Sequence, residues 1–209
     1  ITSSSYYPSI PSYGNALVQI VTSDPIGEWR DIMQGLSVII SSACSYLYIQ
    51  TPYLLPTEPI LWALKTAALS GVDVRIMIPE RADSRVIHWG TLSYLEELLK
   101  AGVKIYEYTP GFVHSKIVVA DDTIGVCGSI NFDYRSLYLH FENSVWLYRC
   151  SAIRAIAADF ACKIASLQKS VVHFRARRIF EGVAVAGDVS PVHSHSARSR
   201  MTFSVAMRP

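Results

Sequence analysis

Apolar positions along this chain follow two rhythms that repeatedly change places. Residues 16–22, ALVQIVT, read as a strand, whereas Ile32, Leu36, Ile39, Ile40 and Ala43 recur at helical spacing across 28–44. YLYIQT, at 46–51, predicts a strand that stops at Pro52. A helix follows over 57–70, with Thr57 as its N-cap and Gly71 closing it. VDVRIMIP, at 72–79, alternates as a strand; 84–101 predicts a helix ended by Gly102, and VKIYEY, at 103–108, another strand. Repeated strand, helix, strand units imply a sheet covered by helices, at least part of it parallel.

The rhythm changes after position 110. FVHSKIVVA and TIGVCG predict two strands separated only by Asp121-Asp122, which suggests a hairpin. LHFENSVWLY, at 139–148, predicts a further strand, and 151–170 a helix rich in Ala and Ile. The expected architecture is α/β, a mixed β-sheet flanked by helices on both faces. Residues 1–13 read as a linker from something upstream, 14–180 as the folded domain, and 181–209 as an irregular, poorly ordered basic tail.

Composition narrows the function classes. Half the residues are apolar and 17% are charged, which excludes a disordered chain. Six arginines against Glu181 and Asp188 give the part from position 171 onward a charge of +4, and the overall +2 leaves −2 for everything before it. That sign suits a nucleic-acid backbone poorly, so no nucleic-acid partner is expected. Cys44, Cys127, Cys150 and Cys162 form no CxxC pair and no Cys/His ligand spacing, which points to a reduced, cytoplasm-facing chain without a zinc site. ITSSSYYPSIPSYGN has neither the basic start nor the apolar core of a signal peptide. LSVIISSACSYLYI is too short and serine-rich to span a bilayer, which takes roughly 20 apolar residues. No transmembrane segment is therefore expected in these 209 residues.

The chemistry gathers after the change of rhythm. On a strand, residues two apart share a face, so His114 and Lys116 are expected to project together. A lone HxK also fits a half-exposed strand with two solvated side chains. The longer string weighs against that: His114, Lys116, Asp121, Gly128, Ser129 and Asn131 stand at fixed intervals. It resembles the HxKxxxxDxxxxxxGSxN signature of the phospholipase D superfamily. GSINFDYRS and the trailing HFEN resemble the bacterial cardiolipin synthase branch, as do IQTPYLLPTEPILWALKTAALSGVDVRIMIP and LLKAGVKIYEYTPGFVHSK upstream.

An anionic phosphodiester resists attack, so its catalyst needs a nucleophile, cationic or N–H donors for the non-bridging oxygens, and an acid for the leaving alkoxide. The resemblance assigns His114 to acid and base work, Lys116 to a phosphoryl oxygen, and Asn131 with Ser129 to neutral hydrogen bonds. Gly128 would permit close backbone approach or an unusual φ. Asp121 belongs to the motif, but at a tight turn its side chain is expected to bond backbone N–H groups and fix the hairpin. Glu142 either orients a catalytic imidazole or is an ordinary surface glutamate. Tyr53 either lines the lipid or phosphate pocket or simply packs. Arg135 is expected to pair with Asp133 rather than contact substrate, and His88, His140 and His173 to be structural or solvated. His193 and His195 lack acidic or Cys partners, so neither a metal nor another cofactor is assigned.

No second HxK occurs, whereas family members pair two such motifs within one chain or between identical subunits. The resemblance implies a phosphatidyltransferase that makes cardiolipin and glycerol from two molecules of phosphatidylglycerol at a bacterial inner membrane. This chain would supply one of two motifs, as the carboxy-terminal half of such an enzyme. The alternatives are a homodimeric nuclease or phosphodiesterase with a single motif per subunit, and an inactive fragment of the lipid enzyme.

Overall fold

The rhythm of the sequence is realised in a computed structural model that describes residues 14–81 and 83–167, with 3, 5 and 8–11 before them. The expected tail at 181–209 and residues 168–170 of the last expected helix lie outside the described residues. The elements are β1 (Leu17–Ser23), α1 (Asp31–Ser42), β2 (Tyr46–Gln50), β3 (Leu54–Leu55), α2 (Glu58–Leu69), β4 (Asp73–Pro79), α3 (Arg85–Lys100) and β5 (Lys104–Tyr108). After them come β6 (Ile117–Ala120), β7 (Ile124–Gly128), β8 (Phe132–Asp133), a π-helical turn (Arg135–Leu139), β9 (Glu142–Tyr148) and α4 (Ser151–Ser166).

Seven strands form one mixed sheet in the order β1-β9-β7-β6-β2-β4-β5. The half built from strand-helix-strand units, β2, β4 and β5, is parallel. The hairpin half is antiparallel, and β6 joins the two by pairing antiparallel with β2. Alternation along β4 separates two cores: Val74, Ile76 and Ile78 meet Ile32, Leu36, Leu64 and Leu95 of α1, α2 and α3, while Met77 meets Phe160 of α4. Helices thus cover both faces. Each large side chain buried this way contributes about 1.5–3 kcal/mol.

The helix ends follow local chemistry with one exception. Gly71 and Gly102 adopt φ of 95° and 97°, the left-handed geometry that closes α2 and α3. Thr57 occupies the N-cap position of α2 but makes no side-chain cap bond, and its buried Oγ1 has no partner among the described residues. Pro59, in the first turn, removes one of the N–H groups that a cap would meet.

The hairpin departs from expectation in two respects. Ala120 pairs with Ile124, so the connection has three residues rather than two, with Asp121 and Asp122 at φ of 52° and 54°. Moreover, the Asp121 carboxylate reaches out of the hairpin, accepting N–H bonds from Cys44 at 2.6 Å and from Ser45 and Tyr46 at 2.8 Å. It bonds backbone N–H groups, but those of the α1–β2 connection, and it stands at the opposite end of β6 from His114. Burial pushes its pKa up, and the three N–H donors outweigh that and hold it below the usual carboxylate value.

Asp121→Asn is therefore expected to lower unfolding stability by about 1 kcal/mol near neutral pH, a hydrogen-bond effect reduced by solvent exposure. A lowered folded-state pKa contributes stability above the unfolded value of about 3.9 and loses it as pH falls further. Urea melts at neutral and acid pH check this: the gap between the two proteins should close below about pH 4.

Candidate active site

The strand that was to carry His114 and Lys116 begins only at Ile117, so both residues lie in irregular chain just before β6 and the pleat does not align them. They meet by a local fold-back instead. Lys116 Nζ donates to the His114 carbonyl at 2.7 Å and lies 3.1 Å from His114 Nε2, while Phe112 stacks on the imidazole at 5.7 Å. Burial pulls the Lys116 ammonium below the ordinary lysine value, against the charges of Glu142 and Asp133, which favour its protonated form.

The GSxN turn is held beside this pair. Gly128 N–H donates to the Lys116 carbonyl at 3.3 Å, so the two motif segments leave the β6–β7 pair side by side. Of the two reasons for glycine, close approach applies: a Cβ at Gly128 would lie 2.7 Å from Ser144 Cα on β9. Ser129 then bonds twice to Asn143, its N–H to the carbonyl at 3.0 Å and its Oγ accepting the Asn143 N–H at 3.1 Å. The same hydroxyl donates to the Glu142 carboxylate.

Glu142 is not a surface residue: only 7% of it is exposed. Its second oxygen lies 3.4 Å from Nδ1 of His140, not against His114. Arg135, expected to pair with Asp133, directs Nε and Nη2 to His140 Nε2 at 3.2 and 3.0 Å. Two donors on Nε2 require its lone pair, which leaves the ring proton on Nδ1, facing Glu142. Asp133 instead accepts the Ser136 N–H at 2.6 Å and starts the π-helical turn. Asn131 Nδ2 donates to Ser136 Oγ at 3.1 Å, and its buried Oδ1 has no partner among the described residues.

Tyr53 reaches the same region through a contact that no local pattern announces. Leu54 and Leu55 pair in parallel with Phe132 and Asp133, forming the small β3–β8 sheet, and Thr51 Oγ1 accepts the Phe132 N–H at 3.4 Å. The TPYLLP segment is thereby fastened to the turn that carries Asn131. Tyr53 donates its hydroxyl to Asp83 at 2.5 Å, and that bond, with burial, pushes its pKa up to about 12. A cavity of about 760 Å³ opens here, lined by Tyr53, Asn131, Asp133, Arg135, Tyr138 and His140 among others; His114 and Lys116 lie outside its lining.

His140 is the site residue that the sequence reading passed over. Its signal was its place two residues before Glu142 in HFEN, a spacing that puts extended-chain neighbours on one face. The described cysteines are all free, and among the described residues no cluster of three or more His, Cys, Asp or Glu is placed to hold a metal. No described helix is long and apolar enough to cross a membrane.

Glu142→Gln removes a charge that favours the protonated form of Lys116, so the Lys116 pKa is expected to fall further below the ordinary lysine value. Titration of the Lys116 ε-amine by NMR in both proteins measures it; an unchanged or raised value would contradict the geometry.

Comparison with known proteins agrees with the fold and with the motif. Residues 36–164 match the family described as cardiolipin synthase, PLD-like domain. The chain is 43% identical over 155 residues to the major cardiolipin synthase ClsA of Bacillus subtilis, covering 74% of this chain and 32% of that protein. It is 46% identical over 143 residues to a cardiolipin synthase of Halalkalibacterium halodurans, covering 68% and 28%. The chain thus spans about a third of the length of the curated relatives it matches. Among solved structures, Nuc of Salmonella typhimurium, a phospholipase D family member, superposes with a TM-score of 0.61 at 20% identity, covering 71% of this chain and 94% of that one. A phosphatidylserine synthase of Haemophilus influenzae gives 0.57 at 17% identity, covering 72% and 39%. With the matched segment spanning β2 to β9 and both HxK and GSxN inside it, the chain belongs to the phospholipase D-like domain family of cardiolipin synthases.

Proposed function

We propose that this domain supplies one half of the active site of a phosphatidyltransferase that joins two phosphatidylglycerol molecules into cardiolipin and releases glycerol. The observation that carries this is the meeting of His114 and Lys116 beside the GSxN turn, with Ser129 anchored on a buried carboxylate. The family supports the substrate class, a phospholipid, and the pairing of two such domains.

The residue roles follow from what a phosphodiester needs. A histidine from the second motif attacks phosphorus, forming a P–N bond as the P–O bond to glycerol breaks. His114, protonated, gives its proton to the departing alkoxide. It then takes the proton of a hydroxyl on the second phosphatidylglycerol as that oxygen attacks phosphorus, breaking the P–N bond and restoring both imidazoles. Lys116 and the second N–H of the Asn131 amide meet charge on the non-bridging oxygens. Gly128 and Glu142 hold the turn in place, and Asp121 secures the far end of the hairpin.

On this account residues 14–180 are the catalytic domain, 1–13 a linker and 181–209 a tail. The protein works at the membrane because its substrates reside there, and its partner is a second motif, in the same protein or in an identical subunit.

Transfer from labelled phosphatidylglycerol and cleavage of single-stranded DNA, measured with the chain alone and with a second motif-bearing half, test the proposal. Cardiolipin formation is expected only with the second half, and His114→Ala should reduce it about 10²–10⁴-fold. DNA cleavage by a dimer of this chain alone would overturn the assignment.

A further inference from the structure

The cavity beyond Asn131 carries chemistry that phosphoryl transfer leaves unused. Two carboxylates, Glu58 and Asp133, line it together with one guanidinium, Arg135. That charge balance suits a second phosphate poorly, because an anion entering there meets more negative than positive charge. An ammonium head, though drawn by the carboxylates, has no acceptor for the Arg135 donors and leaves them unused. An uncharged pair of adjacent hydroxyls satisfies both kinds of wall: its O–H groups donate to carboxylate oxygens and its oxygens accept guanidinium N–H bonds.

The groups are available for this. Asp133 uses Oδ1 for the Ser136 N–H, while its Oδ2 and the Glu58 carboxylate have no hydrogen-bond partner among the described residues. Arg135 directs Nε and Nη2 to His140, which leaves its Nη1 donors. Aromatic surface completes the walls. Tyr134 and Tyr138 stack at 4.7 Å with planes 10° apart, Arg30 lies over Tyr138 at 5.9 Å, and Tyr53 and Tyr94 line the cavity as well. Such faces accept the C–H side of a polyol while its hydroxyls bond at the edges.

We propose that this cavity is the seat of the alcohol: it takes an uncharged polyol head with adjacent hydroxyls and holds it next to the phosphoryl seat at Asn131. The inference deepens the transferase assignment above and rests on it for the identity of the alcohol. Binding itself needs no turnover.

The test is an NMR titration of the full chain with two water-soluble heads, methyl phosphoglycerol and methyl phosphoethanolamine, which share a methyl phosphodiester and differ only in the alcohol. The glycerol head is expected to bind about tenfold tighter, as sites built to hydrogen-bond hydroxyls discriminate against heads that lack them. Shifts should include Tyr94 and His140. Arg135→Gln should cut the preference to about twofold or less by removing guanidinium donors that only the glycerol head uses. Glu58→Gln, at the exposed start of α2, should weaken the glycerol head alone. Equal binding of the two heads, no binding of either, or a preference unchanged in Arg135→Gln would overturn the seat. A chain that shows the preference but transfers no phosphatidyl group with a second half supports the seat and refutes the activity; transfer without the preference refutes the seat alone.

Discussion

A carboxylate buried at the end of a β-sheet must find donors and positive charge, because desolvating it alone is prohibitive. Glu142, the first residue of β9, is that group here, and the candidate site is arranged around its needs. Ser129 donates to one oxygen, His140 faces the other, and Lys116 answers with charge. Each of these brings a further residue: Ser129 carries the GSxN turn, His140 carries Arg135, and Lys116 carries His114. Two segments, the His114–Lys116 pair and a cavity wall, are thereby tied to one anion.

The sheet makes this convergence possible. Gly128 has no side chain where β7 ends, so the turn can press against β9, and the β3–β8 pairing brings Tyr53 to the same place. Glu142 stands at the sheet end where β6 begins and β7 finishes, so Lys116, Gly128 and Glu142 gather while Asp121 is left at the opposite end of the hairpin. A motif contiguous in sequence is thus divided in space: His114 and Lys116 lie beside the GSxN turn, and Asp121 secures the connection that leads into β2.

Much of this was legible in the sequence because periodicity is local. The helices and the strands of the large sheet fall within a few residues of where their rhythms put them, and Gly71 and Gly102 close α2 and α3 as glycines do. What was not legible depends on contacts that no period announces. The two-residue strands β3 and β8 have no period of their own. Arg135 turned to His140 rather than Asp133 because the π-helical turn brings those residues together, while Asp133 is occupied in starting that turn. His114 and Lys116 did meet, although by a side chain folding back onto its own backbone and not by a shared pleat.

The central claim is that His114, Lys116, Ser129 and Asn131 form a single seat for a phosphoryl group. A structure of the chain in complex with orthovanadate, a mimic of phosphorus under attack, tests this most directly. The account predicts a vanadate oxygen within hydrogen-bond distance of His114 Nε2, with Lys116 and Asn131 on its other oxygens and Glu142 still bonded to Ser129. Vanadate bound away from His114, or held there with Lys116 and Asn131 turned from it, would contradict it.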